Sequence, residues 1–205
     1  MRGKRLRHTL RLWTISLPRK RVKYIKEQNI FYSMGDNCSI MSRTVPLYSK
    51  LIKLGDNVHL ASNVSLVTHD ITHVMLNKSQ YIHSIVGDDY KFPEKLGCIE
   101  IGDDVFIGAG TTVLPDVRIG SHVIIGAGSL VNKDIPDNCV AAGVPARVIC
   151  SIEDYLQKHL REETYPPEIA PFRERDENGK RIKGIGKKLL SWSWEHFYSK
   201  RNSSE

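Results

Sequence analysis

Cysteine is scarce, and its four copies (Cys38, Cys98, Cys139 and Cys150) form no C-x-x-C pair. Their spacings suit neither a disulfide framework nor a structural metal site. They read as reduced core or edge thiols of a cytosolic protein. Nothing approaches the roughly 18 consecutive apolar residues that a membrane-crossing helix needs. The N-terminus is expected to be no secretory signal, because Arg11 interrupts an apolar run that is already too short. Acid is absent from the first 26 residues, while Arg2, Lys4, Arg5, Arg7, Arg11, Arg19, Lys20, Arg21, Lys23 and Lys26 crowd into them. This segment holds much of the excess behind a net charge of +7 and a pI near 9.2. No nucleic-acid motif accompanies it, so the charge points to an anionic partner or surface and not to nucleic acid.

What is present is a six-residue period. Ile101, Ile107, Val113, Ile119, Ile125 and Val131 recur in strict register, and Gly102, Gly108, Gly120 and Gly126 follow four of them. Four residues after each comes a second small or β-branched side chain, from Val105 and Thr111 to Ser129 and Ile135. A period of six fits neither a helix nor a flat two-sided strand. It predicts a parallel β-helix, in which each hexad is one short side of a coil and the aliphatic residue points inward. No coil buries that face alone, so the coils must stack. An ordinary sandwich would need Ile-Gly pairs in register by coincidence. Glycine beside the inward residue suits a corner with unusual dihedrals. The period leaves the handedness open.

The same pattern starts earlier, at Met34-Gly35-Asp36-Asn37-Cys38 and at Leu54-Gly55-Asp56-Asn57-Val58, with a two-residue slip near Pro46 that enlarges one coil. It lapses after Leu66, where polar and aromatic residues from Thr72 to Gly97 predict a long loop thrown out of the stack. The chain thus divides into a basic extension over 1–33, a coil domain over 34–150 with its loop at about 72–98, and a helical extension over 151–205. In the last, Ser151 and Asp154 read as a helix cap. Pro166-Pro167 should end that helix, residues 168–184 read as polar loop, and a short helix is expected between Ile185 and Tyr198. Near the N-terminus, Leu6, Leu10, Trp13 and Leu17 form a helical stripe with basic neighbours. Such a helix either lies on an anionic membrane surface or packs against the coils or a neighbouring subunit. Pro18 ends it.

The hexads, followed by Ile125-Gly126-Ala127-Gly128-Ser129-Leu130-Val131-Asn132-Lys133-Asp134-Ile135-Pro136 and Ala142-Gly143-Val144-Pro145-Ala146-Arg147-Val148-Ile149, resemble the hexapeptide-repeat acyltransferases. The likeness covers about 34–150. It is strongest to the galactoside and maltose acetyltransferases and to the O-acetyltransferases of capsule and O-antigen synthesis. It implies an all-β, left-handed parallel β-helix, a cytoplasmic homotrimer, and acetyl-CoA as donor in the groove between subunits, with no metal. The acceptor it implies is a sugar hydroxyl, on a bacterial surface polysaccharide or its precursor. On that resemblance Ala109 and Ala127 let the pantetheine arm approach backbone. Asn132-Lys133 stands where relatives have Thr-Lys, Lys133 and Arg147 meet the nucleotide phosphates, and Pro145 lines the adenine side.

In Thr68-His69-Asp70, His69 matches the general base of relatives, a role that imidazole suits. Asp70 and His73 are candidates for ordering the loop or contacting acceptor. Two other readings stand beside this one. A zinc-dependent carbonic anhydrase-like trimer could draw on His59, His69, His73 and His122, although the CoA motif would then have no purpose. A galactoside or xenobiotic acetyltransferase would share the scaffold. A repeat protein with a dead site is the weakest option.

Overall fold

The computed structural model describes residues 2–161 and 185–202. The sequence-predicted stop at Pro166-Pro167 and the polar stretch 168–184 lie outside them. Helices α1 (Arg2–Thr14) and α2 (Pro18–Glu27) lead into strands β1 (Ser33–Met34), β2 (Ser39–Ile40), β3 (Ile52–Leu54), β4 (His59–Leu60), β5 (Ser65–Leu66) and β6 (His69–Asp70). Helices α3 (Thr72–Leu76) and α4 (Gln80–Val86) follow. Then come β7 (Lys95–Leu96), β8 (Ile99–Ile101), β9 (Val105–Ile107), β10 (Thr112–Val113), β11 (Val117–Ile119), β12 (Val123–Ile125), β13 (Leu130–Val131), β14 (Cys139–Gly143) and β15 (Ala146–Ser151). Helix α5 (Ile152–Arg161) and helix α6 (Ile185–Asn202) complete the described strands and α-helices, and a 3-10 turn spans Ser49–Leu51.

The strands stack into three parallel faces. The first is β1-β3-β8-β11, the second β2-β4-β9-β12-β14, and the third β5-β10-β13. Ile101 pairs with Ile119, Ile107 with Ile125 and Val113 with Val131, one coil above another. All six of those side chains are buried. Each contributes about 1.5–3 kcal/mol by leaving water, which is why the hexad period reads so directly as a coil stack. The slip near Pro46 is real: Met34 pairs with Leu54, two residues further along than the spacing from Ile101 to Ile119 requires.

The glycines serve a different purpose from the one their position suggested. The left-handed residues at the corners are Asn37, Asn57, Asn63, Asp104, Asp116, His122 and Asn138, with φ between 54° and 60°, and Gly110 and Gly128, with φ of 71° and 69°; none of them is the glycine that follows an inward residue. Asn and Asp tolerate that region best among residues with a Cβ. The glycine beside the inward residue instead is required where coils touch. A Cβ on Gly55 would lie 2.2 Å from Asp103 Oδ1, and one on Gly108 would lie 2.4 Å from the Ala127 backbone nitrogen. The room goes to a ladder in which the Asp36 N–H donates to Asp56 Oδ1, Asp56 N–H to Asp103 Oδ1 and Ser121 N–H to Asp137 Oδ1. Gly108→Ala is expected to cost about 1–3 kcal/mol, the usual penalty of overpacking against backbone. A denaturant midpoint equal to that of the parent protein would refute this.

The expected loop over 72–98 is partly structured. It contains α3 and α4 and returns through β7, which pairs antiparallel with β6 and sets His69 opposite Leu96. The segment after Ile135 caps the stack in a form that the hexad period does not describe. It is an antiparallel hairpin of β14 and β15 that closes the second face, with a cis peptide between Val144 and Pro145. Helix α5 is capped as its sequence predicts, the Asp154 N–H donating to Ser151 Oγ.

At the N-terminus, α1 packs on the coil through Arg5, Thr9 and Leu12. Arg5 Nε donates to the Val45 carbonyl, the Val45 N–H donates to Thr9 Oγ1, and Leu12 is buried. Leu6, Leu10, Trp13 and Leu17 are each more than half exposed. The stripe is therefore not the face packed against the chain's own coils. In α2, the Arg21 guanidinium is buried and donates to the carbonyls of Ile40, Ile15 and Ser16. Helix α6 forms where the sequence suggested a short helix, and Trp194 packs its ring on Phe197 and Tyr198 within it.

Candidate functional site

The third face positions most of the residues singled out by sequence. Strand β5 ends at Leu66, and three residues later His69 begins β6 as the chain leaves the coil. Strand β13 ends at Val131, and Asn132 and Lys133 follow directly, both exposed. Leu66, Val113 and Val131 are in register through β10. His69 and Lys133 thus lie along one edge of the third face, two coils apart, which is about 10 Å at the usual strand spacing. Cys98 lies on this edge as well, with its N–H bonded to Asp116 Oδ1 at 3.2 Å and its side chain exposed.

Ala109 and Ala127 occupy the opposite edge of that face, at the corners before β10 and β13. They are exposed and equivalent in successive coils, the Gly128 N–H donating to the Ala109 carbonyl at 2.8 Å. Pro145 lies in the turn between β14 and β15, and Arg147 follows on β15 with Nη1 on the Ala146 carbonyl at 2.7 Å. Both are exposed at the closed end of the stack. Within one chain, then, the sequence-predicted site divides into an edge with His69, Asn132 and Lys133 and an edge with Ala109 and Ala127.

His69 and His73 are half-buried, and each has its Nδ1 buried without a hydrogen-bond partner among the described residues. A buried polar nitrogen without a partner is costly in a structural role. Asp70 accepts the Thr72 N–H through Oδ1, the contact that starts α3. Hydrogen bonds from the Thr72 backbone and then its hydroxyl hold the Asp70 carboxyl below its ordinary value, helped by the charges of Lys95 and His73. Asp70 thereby fixes the loop start beside His69.

The sequence reading missed the residue that backs His69. Tyr48 sits in the enlarged coil with φ of 53° and sets its ring against the imidazole, centroids 5.6 Å apart and edge-on. Its hydroxyl donates to Glu94 Oε2 at 2.8 Å, tying it to the chain just before β7. The adjoining Thr68 hydroxyl donates to the Leu47 carbonyl, which joins the same insertion to the strand end. The two-residue slip near Pro46 was the one available signal, and it carried no direction for a side chain.

The other histidines are engaged elsewhere. His59 bonds Ser39 Oγ at 2.7 Å and Asn57 Oδ1 at 2.9 Å, and His122 bonds Asn138 Oδ1 at 3.0 Å. These lie on or beside the second face, while His69 and His73 lie beyond the third. Among the described residues no group of three or more His, Cys, Asp or Glu is placed to hold a metal ion. A half-buried imidazole with an unpartnered nitrogen can accept a proton from a hydroxyl held against it. Exposed Lys133 and Arg147 can meet phosphate.

Residues 99–133 match the model of the bacterial transferase hexapeptide family, six repeats. The galactoside O-acetyltransferase of Escherichia coli (strain K12) is 36% identical over 149 residues, covering 69% of this chain and 67% of that protein. Protein CapG of Staphylococcus aureus is 36% identical over 160 residues, covering 76% of this chain and 86% of that protein. Among solved structures, a hexapeptide-repeat containing acetyltransferase of Vibrio cholerae, complexed with acetyl coenzyme A, superposes with a TM-score of 0.54. It is 20% identical and covers 73% of this chain and 86% of that one, a likeness of fold.

Proposed function

The chain belongs to the bacterial hexapeptide-repeat transferase family, and from that premise we propose that it is an acetyl-CoA-dependent O-acetyltransferase acting on a sugar hydroxyl. The observation that carries the reading is His69: half-buried, backed by Tyr48, its Nδ1 without a partner among the described residues, on the same coil edge as Lys133. His69 takes the proton of the acceptor hydroxyl as that oxygen attacks the thioester carbonyl. The carbon–sulfur bond breaks, and the imidazolium returns the proton to the departing thiolate. No acyl-enzyme is required. A backbone N–H beside the groove stabilises the oxyanion.

The donor lies along Ala109 and Ala127, where small side chains admit the pantetheine arm. Asn132 flanks its path, Lys133 and Arg147 meet its phosphates, and Pro145 lies against adenine. In this reading the enzyme is a homotrimer of left-handed coils, and a groove that uses both edges of the third face forms between neighbouring copies. The acceptor in this proposal is a bacterial surface polysaccharide or its precursor.

The deciding assay is thiol release from acetyl-CoA over a panel of neutral and charged sugars and polysaccharides. Release that depends on a sugar is the expected result. No release with any acceptor, together with no CoA binding, would end the proposal, and a monomer with full activity in solution would end its trimeric part. Lys133→Ala and Arg147→Ala are each expected to weaken acetyl-CoA binding by about 1–3 kcal/mol. Whichever residue meets the 3′-phosphate should lose less against dephospho-CoA. Unchanged binding in both variants would remove the assignment.

No described helix is long and apolar enough to cross a membrane. The proposal places the enzyme in the cytoplasm, at the inner face of the membrane, with the exposed Leu6–Leu10–Trp13–Leu17 stripe and its basic neighbours on anionic lipid. The parent protein should sediment with phosphatidylglycerol vesicles and not with phosphatidylcholine ones. The pair Leu10→Ser and Trp13→Ser should stay in the supernatant, and equal sedimentation of both proteins would refute the contact.

A further inference from the structure

Beside His69 lies a cavity of about 440 Å³ that the catalytic reading does not use. It is bounded by α1, by the end of α2 and by the enlarged coil, and its volume suits a small ligand. Tyr48 and Leu96 belong to its wall. Tyr48 is the ring already found against His69, and Leu96 is the residue paired with His69 between β6 and β7. Tyr48 and Leu96 therefore form a wall that the cavity shares with His69.

Its charge is of one sign. Lys4, Arg5, His8 and Lys50 line it, and no carboxylate does. Arg5 bonds the Val45 carbonyl and Lys50 the Phe31 carbonyl at 2.9 Å, both neutral acceptors. No salt bridge among the described residues neutralises Lys4, Arg5 or Lys50. His8 registers the environment: burial first, then the charges of Arg7 and Lys4, hold its imidazole below the ordinary value. A concave site with unpaired cations and low-dielectric walls concentrates anions. Its floor is apolar, through Ile30, Val45 and Leu51, as the ring face of a sugar requires.

We infer that this cavity is the acceptor subsite and that it selects a sugar carrying a carboxylate or a phosphate monoester, its anionic group among Lys4, Arg5 and Lys50 and its reacting hydroxyl toward His69 past Tyr48. The inference rests on the reading of His69 as the base. Arg5 also holds α1 to the coil, so the informative variant is the pair Lys4→Gln and Lys50→Gln.

The test has a binding arm and a turnover arm. Calorimetry on the full chain without CoA compares galacturonate and galactose 1-phosphate with galactose. At least one of the two anions is expected to bind tenfold or more tighter than galactose, and to weaken with salt. That preference should fall to threefold or less in the Lys4/Lys50 pair, and it should persist in Lys133→Ala. The same preference should appear in kcat/KM. Galacturonate and galactose 1-phosphate separate the uronic from the phosphorylated class. Equal binding of charged and neutral sugars overturns the inference while leaving the acetyltransferase reading intact. So does a preference that survives in the Lys4/Lys50 pair, and so does one seen in binding but not in kcat/KM. A His69→Ala protein that binds the anion normally and turns over nothing supports both readings. One that binds it and keeps its turnover overturns the base assignment and, with it, the subsite's orientation toward His69.

Discussion

His69→Ala is expected to lower turnover by about 10²–10⁴-fold, the usual worth of a general base. Acetyl-CoA binding and the thermal midpoint should barely change. The imidazole is half-buried at the exit from the coil and belongs neither to the inward ladder nor to the corners proposed for the donor. Removing it also removes a buried nitrogen that has no partner among the described residues, so stability has little to lose. His73→Ala should cost far less. A His69→Ala enzyme with most of its turnover, beside an inactive His73→Ala, would transfer the role to His73; two active variants would place the base elsewhere.

The largest effect on stability is expected at Arg21. Its guanidinium is buried, donating to the carbonyls of Ile40 at 3.0 Å and of Ile15 and Ser16 at 2.9 Å. It therefore ties α2 to β2 and to the linker after α1 at once. Burial, then the nearby charge of Arg43, pushes its acidity up, yet an arginine so placed stays charged at neutral pH. Arg21→Met keeps length and apolar stem but leaves the carbonyls without a donor. Each such loss costs about 1–3 kcal/mol when the group stays dry, while the relieved burial of the cation offsets part of it. The net expectation is about 2–4 kcal/mol, seen as a lower denaturant midpoint and as new proteolysis between α1 and α2. A midpoint within the error of the parent protein would show that water replaces the guanidinium freely.

Arg21 also illustrates how far sequence reading reaches. In the sequence it is one of ten basic residues in an acid-free segment, and nothing in its neighbours marks it as buried. Arg5 is similar: it reads as surface charge, yet its Nε holds α1 to Val45. In α1 the apolar stripe and the packed face are different faces. Leu6, Leu10 and Trp13 have helical spacing, and so do Arg5, Thr9 and Leu12, and the second set is the one packed on the coil. Periodicity identifies a helix and its faces; which face is covered depends on where the coil presents its own carbonyls and N–H groups.

At the candidate site the division is sharper. His69, Asn132 and Lys133 were singled out by the family resemblance, and the edge they share follows from the register of the hexad residues before them. Tyr48 and Glu94 were not, because one lies in the irregular coil and the other in the excursion, where no period applies. The hairpin of β14 and β15 escaped for a related reason: the hexad rule ends at Ile135, and antiparallel return is a property of the turn around Val144-Pro145.

The sequence by itself determined the coil stack, its phase, the slip near Pro46 and the ends of the regular run. A strict six-residue burial pattern has one low-energy realisation, with like residues stacked on like. Tertiary structure alone decided which groups surround His69, that the glycine beside an inward hexad residue is demanded by contact between coils and not by dihedral strain, and that Lys4, Arg5 and Lys50 share one cavity with Tyr48. Those outcomes depend on distances between segments far apart in the chain. Local patterning does not encode such distances, because the free energy that fixes them comes from the packed whole.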